Sequence, residues 1–166
     1  MNTDQSYCFV FVCQAGRLEI DALLLALSLQ MHVKCGHELV AAIPMSASRW
    51  GRPNRIVLDQ LERMNVRIVE IENQIDQEYP IGNKVSCLSI PTGMDKLVFV
   101  DSDVLCLREF GGGAEFCAPF NAKFVDTLIF GKDPSEWEAV YSAVGLPLPS
   151  IAGETTVSGE ATLPYY

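Results

Sequence analysis

Four short, mostly apolar segments in the N-terminal part of the chain limit the folds that it can adopt. The first, residues 7–13, reads YCFVFVC and contains no charged side chain. A strand that is buried on both faces has this continuous apolar character, whereas a half-buried strand alternates apolar and polar residues. The other three segments are residues 39–43, 66–71 and 96–100. We therefore expect a sheet whose centre is covered on both sides.

Helical segments separate the four strands and give the order β-α-β-α-β-α-β. The first, residues 18–34, is apolar almost all round and is therefore expected to be packed on most of its sides. Its main apolar stripe is Ile20, Leu23, Leu24, Leu27 and Met31. Residues 55–64 and 82–90 are predicted to form the next two helices. This alternation predicts an α/β fold, with a Rossmann-like, mostly parallel sheet flanked by helices.

The remaining residues give weaker signals. Residues 46–54 are polar and irregular, and residues 116–126 are predicted to hold one or two short strands. Asp133 and Pro134 open a further helix as N-cap and first-turn residue, and Gly145 ends it. Its predicted apolar face consists of Trp137, Val140, Tyr141 and Val144.

Length, charge and hydropathy exclude several classes of protein. The 166 residues predict one domain, spanning 1–166, with a core large enough to fold without cross-links. There are 21 acidic and 12 basic residues, a net charge of −9, so nucleic acid is not an expected partner. No apolar run approaches the roughly 18 residues that cross a bilayer, and the first residues lack the basic start of a secretory signal. We therefore expect a cytoplasmic protein without a membrane span.

The cysteines are expected to be reduced, buried thiols. They are scattered and form no C-x-x-C pair: Cys8, Cys13, Cys35, Cys87, Cys106 and Cys117. His32, Cys35 and His37 suggest a zinc corner, but a second ligand pair is missing from the sequence. A helix end near Gly36, with two histidines placed favourably for the helix dipole, explains these residues better.

The segment Asp101-Ser102-Asp103 directly follows the fourth strand. In an extended chain, alternate side chains point to the same face, so the two carboxylates would lie close together. Two negative charges about 6 Å apart repel by roughly 3 kcal/mol at an effective dielectric constant of about 20. The nearest cations in the sequence, Lys96 and Arg108, are not adjacent, and a divalent cation prefers carboxylate oxygens. The spacing alone leaves two alternatives open, a metal site and a solvated acidic pair at a strand end.

Three segments carry a resemblance to a known family. They are residues 7–16, where small residues follow the strand; Gly82-Asn83-Lys84 with the helix after it; and residues 96–107, KLVFVDSDVLCL. Together they resemble the GT-A-fold glycosyltransferases, most closely the glycogenin and galactosyltransferase-like group known as family 8. The likeness runs along essentially the whole chain, and its central motif, an apolar strand followed by D-S-D-V-L, is moderately specific. It implies transfer of a hexosyl group from a nucleotide-diphosphate sugar to an unknown acceptor.

The resemblance also implies roles for individual residues. Asp101 and Asp103 would hold Mn²⁺ or Mg²⁺, which offsets the diphosphate charge and assists the departure of the nucleoside diphosphate. The residues implied in nucleotide-sugar binding are Cys13, Gln14, Ala15 and Gly16 around the nucleobase, Asn83 and Lys84 on the third helix, and Ser102 near the ribose. Lys84 would face the nucleotide-sugar, or else solvent. A place at the cleft and a place in a solvated or locally packed loop both remain open for Arg49, Trp50 and Arg52.

The family pattern breaks off at the end of the sequence, Thr162-Leu163-Pro164-Tyr165-Tyr166, where a similar segment of relatives leads into a further strand. Relatives of this kind have a second part, which supplies the acceptor site and a late metal-binding histidine. His32 and His37 are predicted to lie on the first helix, too early to take that role. We therefore expect a donor-binding domain that is incomplete as a catalyst, with its catalytic residues unknown. The alternative is a non-catalytic nucleotide-sugar-binding module, which would form a homodimer through an uncovered sheet edge.

Two other enzyme classes fit the sequence less well. Phosphohydrolases of the haloacid dehalogenase type also place D-x-D after an apolar strand, but near the N-terminus and with Thr or Val at the position of Leu105. A dinucleotide-dependent dehydrogenase would carry G-x-G-x-x-G after the first strand. This chain has Gln14-Ala15-Gly16 there instead.

Overall fold

The computed structural model describes residues 5–75, 79–111, 133–148, 153–154 and 161–162. The chain divides into two compact units, Met1–Glu115 (unit 1) and Phe116–Tyr166 (unit 2). The single domain over residues 1–166 stays a prediction. The short strands predicted in residues 116–126, and Cys117, lie outside the described residues.

Unit 1 contains a four-stranded sheet with helices between its strands. The strands are β1 (Tyr7–Val12), β2 (His37–Pro44), β3 (Arg67–Ile71) and β4 (Lys96–Phe99). The helices are α1 (Arg17–His32), α2 (Ala47–Trp50), α3 (Arg55–Arg63) and α4 (Ile81–Cys87). All pairings in this sheet are parallel, which confirms the predicted α/β class with a Rossmann-like sheet flanked by helices.

The strand order of the sheet is β3-β2-β1-β4. The chain builds outwards from β1 through β2 to β3, and then returns across the sheet to place β4 on the other side of β1. Val10 therefore pairs with Val40 on one side and with Phe99 on the other. In open parallel sheets, ligands bind outside the carboxyl ends of the strands at the point where the order reverses. Here that switch point lies between β1 and β4.

Strand β1 is the centre of the core, and all 6 of its residues are buried. One face belongs to an apolar cluster made of Cys8, Val10, Val12, Val40, Ala42, Ile71, Cys87 and Ile90. On the other face, Tyr7 and Phe9 make edge-to-face contacts with Phe110, with ring centroids 5.2 and 5.5 Å apart. The continuous apolar pattern of β1 therefore reflects burial on both faces, as predicted.

Helix α1 forms where the sequence predicts it, but the prediction that it is packed on most of its sides is wrong. Its buried residues are Ala22, Leu25, Ala26 and Leu29. The predicted stripe faces outwards instead, and the exposed side chains are Ile20, Leu24, Leu27 and Met31. A sequence that is apolar on all sides of a helix does not show which side lies against the sheet.

Two local predictions also need correction. Residues 46–54 are not irregular throughout, because they contain the short helix α2. His37 lies outside the first helix as the first residue of β2, and its ring Nδ1 is 2.9 Å from the carbonyl oxygen of Cys35. Only His32 lies in the last turn of α1. Five cysteines within the described ranges are free thiols. Cys8, Cys13 and Cys87 are buried as predicted, whereas Cys35 and Cys106 are only half-buried.

Unit 2 contains helix α5 (Pro134–Ala143) and an antiparallel pair of short strands, β5 (Gly153–Glu154) and β6 (Ala161–Thr162). The predicted ends of α5 are confirmed. The Asp133 carboxylate accepts a hydrogen bond of 2.9 Å from the Ser135 N–H, and Gly145 follows the helix with a φ of 69°. Its predicted apolar face is only half right, because Trp137 and Tyr141 are buried whereas Val140 and Val144 are exposed.

No helix in the described part of the chain has the length and apolar character needed to cross a bilayer.

Candidate functional site

The predicted nucleobase loop and the D-S-D segment follow two neighbouring strands. Because β1 and β4 are adjacent and parallel, residues 13–16 and 101–103 emerge at the same end of the sheet. Backbone hydrogen bonds hold the strand ends in place. The Cys13 N–H donates to the Ala42 carbonyl at 2.8 Å, and the Val100 N–H donates to the Val10 carbonyl at 2.9 Å. The sheet therefore brings both segments to the switch point.

Lys84 forms an ion pair with the first aspartate. Its Nζ donates a hydrogen bond to Oδ1 of Asp101, and both side chains are about half exposed. No cation is adjacent to the aspartates in the sequence, but folding brings one to Asp101 from α4, 17 residues earlier in the chain. An exposed pair of this kind contributes only about 0.2–1 kcal/mol, so a ligand can displace it at little cost.

The residues after β4 turn instead of continuing as an extended chain. The Val104 N–H donates to the Asp101 carbonyl at 3.3 Å, which closes a turn over residues 101–104. The alternation of side chains, from which the two carboxylates were expected on one side, therefore does not apply. Ser102 is buried in this turn, and its hydroxyl donates to the Val12 carbonyl at the end of β1. Its predicted contact with a ribose stays a prediction.

Asp103 lies exposed in the same turn. Within the described ranges, the structure gives its carboxylate no ion-pair partner. Carboxylate oxygens suit Mg²⁺ and Mn²⁺, and Mg²⁺ accepts few protein ligands when phosphates and water complete its shell. No group of three or more His, Cys, Asp or Glu side chains suited to a metal occurs in the described part of the chain. The assignment of Asp101 and Asp103 as metal ligands therefore stays a prediction.

The residues of the 13–16 loop differ in how accessible they are to a ligand. Cys13 is buried, and its burial together with the charge of Glu19 raises the pKa of its thiol to about 12, so it stays a neutral packing residue. Gln14 and Ala15 are half-buried. Gly16 is exposed with a φ of 90°, and no atom lies within 4 Å of where its Cβ would be. The start of α1 is therefore open to a ligand, and no side chain caps it.

A second loop contacts this one, which the sequence analysis missed. Gly51, directly after α2, has a φ of 70°, and a Cβ there would lie 2.6 Å from Cβ of Ala15. Glycine is therefore required by both the backbone conformation and the close approach. Trp50 is only 9% exposed, and the guanidinium of Arg49 lies 5.0 Å from the centre of its ring. Local packing is thus the alternative that the structure supports for Trp50.

Asn83 lies beside Lys84 on α4 but points into the protein. It is 1% exposed, and neither Oδ1 nor Nδ2 has a hydrogen-bond partner among the described residues. Burying an amide without a hydrogen bond costs about 1–3 kcal/mol. The two residues of α4 that were predicted to bind the nucleotide-sugar therefore differ. Lys84 bonds Asp101, whereas the Asn83 amide has no hydrogen-bond partner among the described residues.

A cavity of about 560 Å³ lies past the ends of β2 and β3. It is lined by Met45, Ser46, Arg49, Trp50, Glu72, Asn73, Gln74 and Ile75. Arg52 lines a second cavity of about 270 Å³ beside α3. Neither cavity is lined by Asp101 or Asp103, so the structure does not bring Arg49 or Arg52 to the aspartates.

The fold and the site define an α/β protein with an acidic motif at the switch point of a parallel sheet. Over residues 9–166 the chain matches the family described as the Rhodobacterales glycosyltransferase domain, and it belongs to that family. The protein is therefore a glycosyltransferase domain, which agrees with the class that the sequence resemblance implied. None of the curated proteins compared with the chain matches it.

Proposed function

We propose that this domain binds a nucleotide-diphosphate sugar at the β1/β4 switch point and transfers its hexosyl group to an acceptor, with Mn²⁺ or Mg²⁺ held by Asp101 and Asp103. We further propose that it is a GT-A-type enzyme related to family 8. One observation carries the proposal: the two aspartates emerge beside the 13–16 loop in a chain of a glycosyltransferase family. In parallel sheets this is the position at which nucleotides bind.

The charges of the site explain the need for a metal. The chain carries a net charge of −9, and a diphosphate placed beside Asp101 and Asp103 adds further negative charge. Lys84 supplies a single positive charge. A divalent ion, when bound, offsets the rest and stabilises the charge that develops on the departing nucleoside diphosphate.

Residues of this chain orient the nucleotide. The open backbone at Gly16 and the first N–H groups of α1 lie where the base and ribose enter, and the Gln14 amide is the polar side chain of that loop. Ser102 ties the D-S-D turn to β1, which keeps the aspartates beside the loop. The buried Asn83 amide acquires hydrogen-bond partners from the ligand or from water that enters with it.

Lys84 changes partner when the donor binds. In the structure its ammonium group donates a hydrogen bond to Oδ1 of Asp101. With a metal present, Asp101 would hold it through this carboxylate, and the released Lys84 ammonium group would turn to a phosphate or sugar oxygen of the donor. Because the original ion pair is half exposed, its loss costs little. Metal and nucleotide are therefore expected to bind together more tightly than either alone.

Titration calorimetry with a panel of nucleoside diphosphates tests this proposal. We expect one diphosphate to bind in Mn²⁺ with a Kd of about 10 µM, and about 100-fold more weakly when a chelator replaces the metal. Failure of every diphosphate to bind in the presence of Mn²⁺ would contradict the proposal.

A non-catalytic nucleotide-sugar-binding module is the second candidate. The short protein ligand set favours it, since only Asp101 and Asp103 are proposed as ligands, and no group of three or more His, Cys, Asp or Glu side chains suited to a metal occurs among the described residues. Incubation with the nucleotide-sugar of the diphosphate that binds separates the two functions. Release of nucleoside diphosphate, abolished in Asp103→Asn, identifies an enzyme, whereas binding without release identifies a module.

A further inference from the structure

Helix α1 presents a second apolar surface, opposite the one that it packs against the sheet. The exposed fractions of Ile20, Leu24, Leu27 and Met31 are 49%, 49%, 47% and 59%. A single exposed leucine is ordinary, but four large apolar side chains in line on one helix form a continuous strip. We call these four residues the outer strip of α1.

The spacing of the outer strip indicates the shape of what covers it. Its members follow one another at intervals of four, three and four residues. These are the d, a, d and a positions of a heptad, which make a narrow seam that packs against one facing helix. A broad apolar surface would instead call for a wider stripe.

The outer strip is complementary to itself when two copies run antiparallel. With a two-fold axis between Leu24 and Leu27, each d residue meets an a residue of the other copy. Leu24 then faces Leu27, and Ile20 faces Met31. A closed contact of this kind uses the same surface twice, as most homodimers do.

Between Ile20 and Met31, the charges beside the strip do not oppose this pairing. Asp21 falls opposite Ser28 of the other copy, and the half-buried Leu23 falls opposite Gln30, so no like charges meet beside the seam. Arg17 and Lys34 are both positive, but they lie outside the strip at its two ends, and Lys34 is beyond the last residue of α1, His32. Arg17 bonds the Asp21 carboxylate at 3.2 Å, and the Lys34 ammonium donates to the Met31 carbonyl at 2.8 Å.

Two further leucines extend the apolar surface along one side of α1. The Cys106 N–H donates to Oγ of Ser28 at 3.0 Å, which holds residues 105–107 along the helix. Leu105 and Leu107 are 52% and 76% exposed. With the strip they offer on the order of 500 Å² per copy, or about 1,000 Å² for two copies, which is the lower limit for a specific interface.

We propose that two copies of this chain associate through α1, with the outer strips packed antiparallel and flanked by Leu105 and Leu107. The small area makes the dimer weak and reversible, with a Kd on the order of 10 µM. This surface differs from the uncovered sheet edge considered in the sequence analysis, and the dimer does not depend on the proposed sugar transfer.

Sedimentation velocity between about 1 and 300 µM protein tests the dimer around its expected Kd. Leu24→Glu is expected to weaken association more than tenfold while the thermal midpoint of the dilute protein stays near that of the wild type. Ile56→Glu is the matched control, because Ile56 is 69% exposed on α3 and lies off the strip. A wild type that stays monomeric throughout, or a dimer that Leu24→Glu leaves intact, overturns the proposal.

Mixing variants tests the antiparallel register. Leu24→Glu mixed with Leu27→Lys places opposite charges in one layer of the seam, whereas Leu24→Glu mixed with Leu24→Lys places each charge against a leucine. We expect the first mixture to associate at least tenfold more tightly than the second. Equal association of the two mixtures overturns the register, and with it the proposed interface.

Discussion

The two ends of the parallel sheet use polar side chains in opposite ways. At the amino end, the Glu38 carboxylate of β2 accepts hydrogen bonds from Arg67 at 2.6 Å and from the Thr92 hydroxyl at 3.0 Å. Arg67 also donates to the Pro91 carbonyl at 3.0 Å. These bonds join β2 and β3 to the segment that leads into β4. Polar groups at this end are therefore occupied in holding the sheet together.

At the carboxyl end, polar groups are left available. The buried side-chain amide of Asn83 has no hydrogen-bond partner in the described part of the chain. The exposed carboxylate of Asp103 has no ion-pair partner there. Lys84 and Asp101 form a pair that is half exposed to solvent. Backbone conformations that disfavour side chains occur here too, at Gly16 and Gly51. The contrast supports the proposal that the carboxyl end binds the ligand, whereas the side chains at the amino end join the strands.

The largest expected effect comes from Asp103→Asn at the carboxyl end. Removing one of two metal ligands is expected to weaken nucleoside diphosphate binding in Mn²⁺ by about 100-fold, or about 2.7 kcal/mol. The free energy of unfolding should change by less than about 0.5 kcal/mol, because Asp103 is exposed. Calorimetry and urea unfolding measure the two quantities. Glu109→Gln, with the same charge change in the next segment, should bind normally, and equal losses in both variants would contradict the assignment.

The amino end should respond in the opposite way. Arg67→Met leaves the Glu38 carboxylate without its main partner and is expected to lower the free energy of unfolding by about 1–2 kcal/mol, with nucleotide binding unchanged. The control is Arg55→Met, which breaks an exposed ion pair with Asp59 and should cost less than about 0.5 kcal/mol. If urea unfolding gives the same loss of free energy for both variants, the bonds of Arg67 stabilise the fold no more than the exposed ion pair of Arg55 does.

Two asparagines allow the comparison to be made with one residue type. Asn83→Leu removes the unbonded buried amide and is expected to raise the free energy of unfolding by about 1 kcal/mol. Asn54→Ala removes a helix cap, whose Oδ1 accepts a 2.9 Å hydrogen bond from the Ile56 N–H, and should lower it by about 1 kcal/mol. Thermal and urea unfolding measure the change in the free energy of unfolding for each variant. A loss of stability in Asn83→Leu would mean that its amide is satisfied in solution.

Lys84→Met tests the exchange of partners at Asp101. Without the competing ammonium group, the affinity for Mn²⁺ alone is expected to rise about fivefold, or roughly 1 kcal/mol. Binding of the nucleoside diphosphate should weaken, because the phosphate loses a cation. Electron paramagnetic resonance titration of free Mn²⁺ measures the first effect. Lys34→Met makes the same change of charge away from the site, and an equal rise there would show a general effect of net charge.

The smallest expected effect is a pH dependence at the amino end. The hydrogen bond from Arg67 lowers the pKa of Glu38 below its ordinary value of 4.5. A carboxylate with a lowered folded-state pKa adds stability above its unfolded pKa and loses it as the pH falls through the folded value. Wild type should therefore exceed Glu38→Gln by less than about 1 kcal/mol at pH 7, and the difference should shrink as the pH falls below 4.5. A difference that does not change with pH in urea unfolding would contradict this linkage.

Prediction from the sequence succeeded where the signal was local. The strands, the caps of α5 and the position of the D-S-D segment after β4 depend on neighbouring residues, and the structure places them as expected. Prediction failed where distant residues meet. The ion pair of Lys84 with Asp101 joins α4 to the end of β4, and Gly51 approaches Ala15 from a different loop. A lone glycine or lysine carries no information about which distant residue it will contact.

The sequence by itself determined the class of fold, because apolar strands that alternate with helices leave a parallel sheet as the way to bury them. It also determined that two aspartates follow the fourth strand. Tertiary structure alone decided that β4 lies beside β1, that Ser102 is bonded to Val12, and that one apolar face of α1 is covered while the other is exposed. The physical reason is that the hydrophobic effect is non-directional: it favours removing apolar area from water without specifying which surface covers it. Periodicity identifies an apolar surface, and only packing selects what covers it.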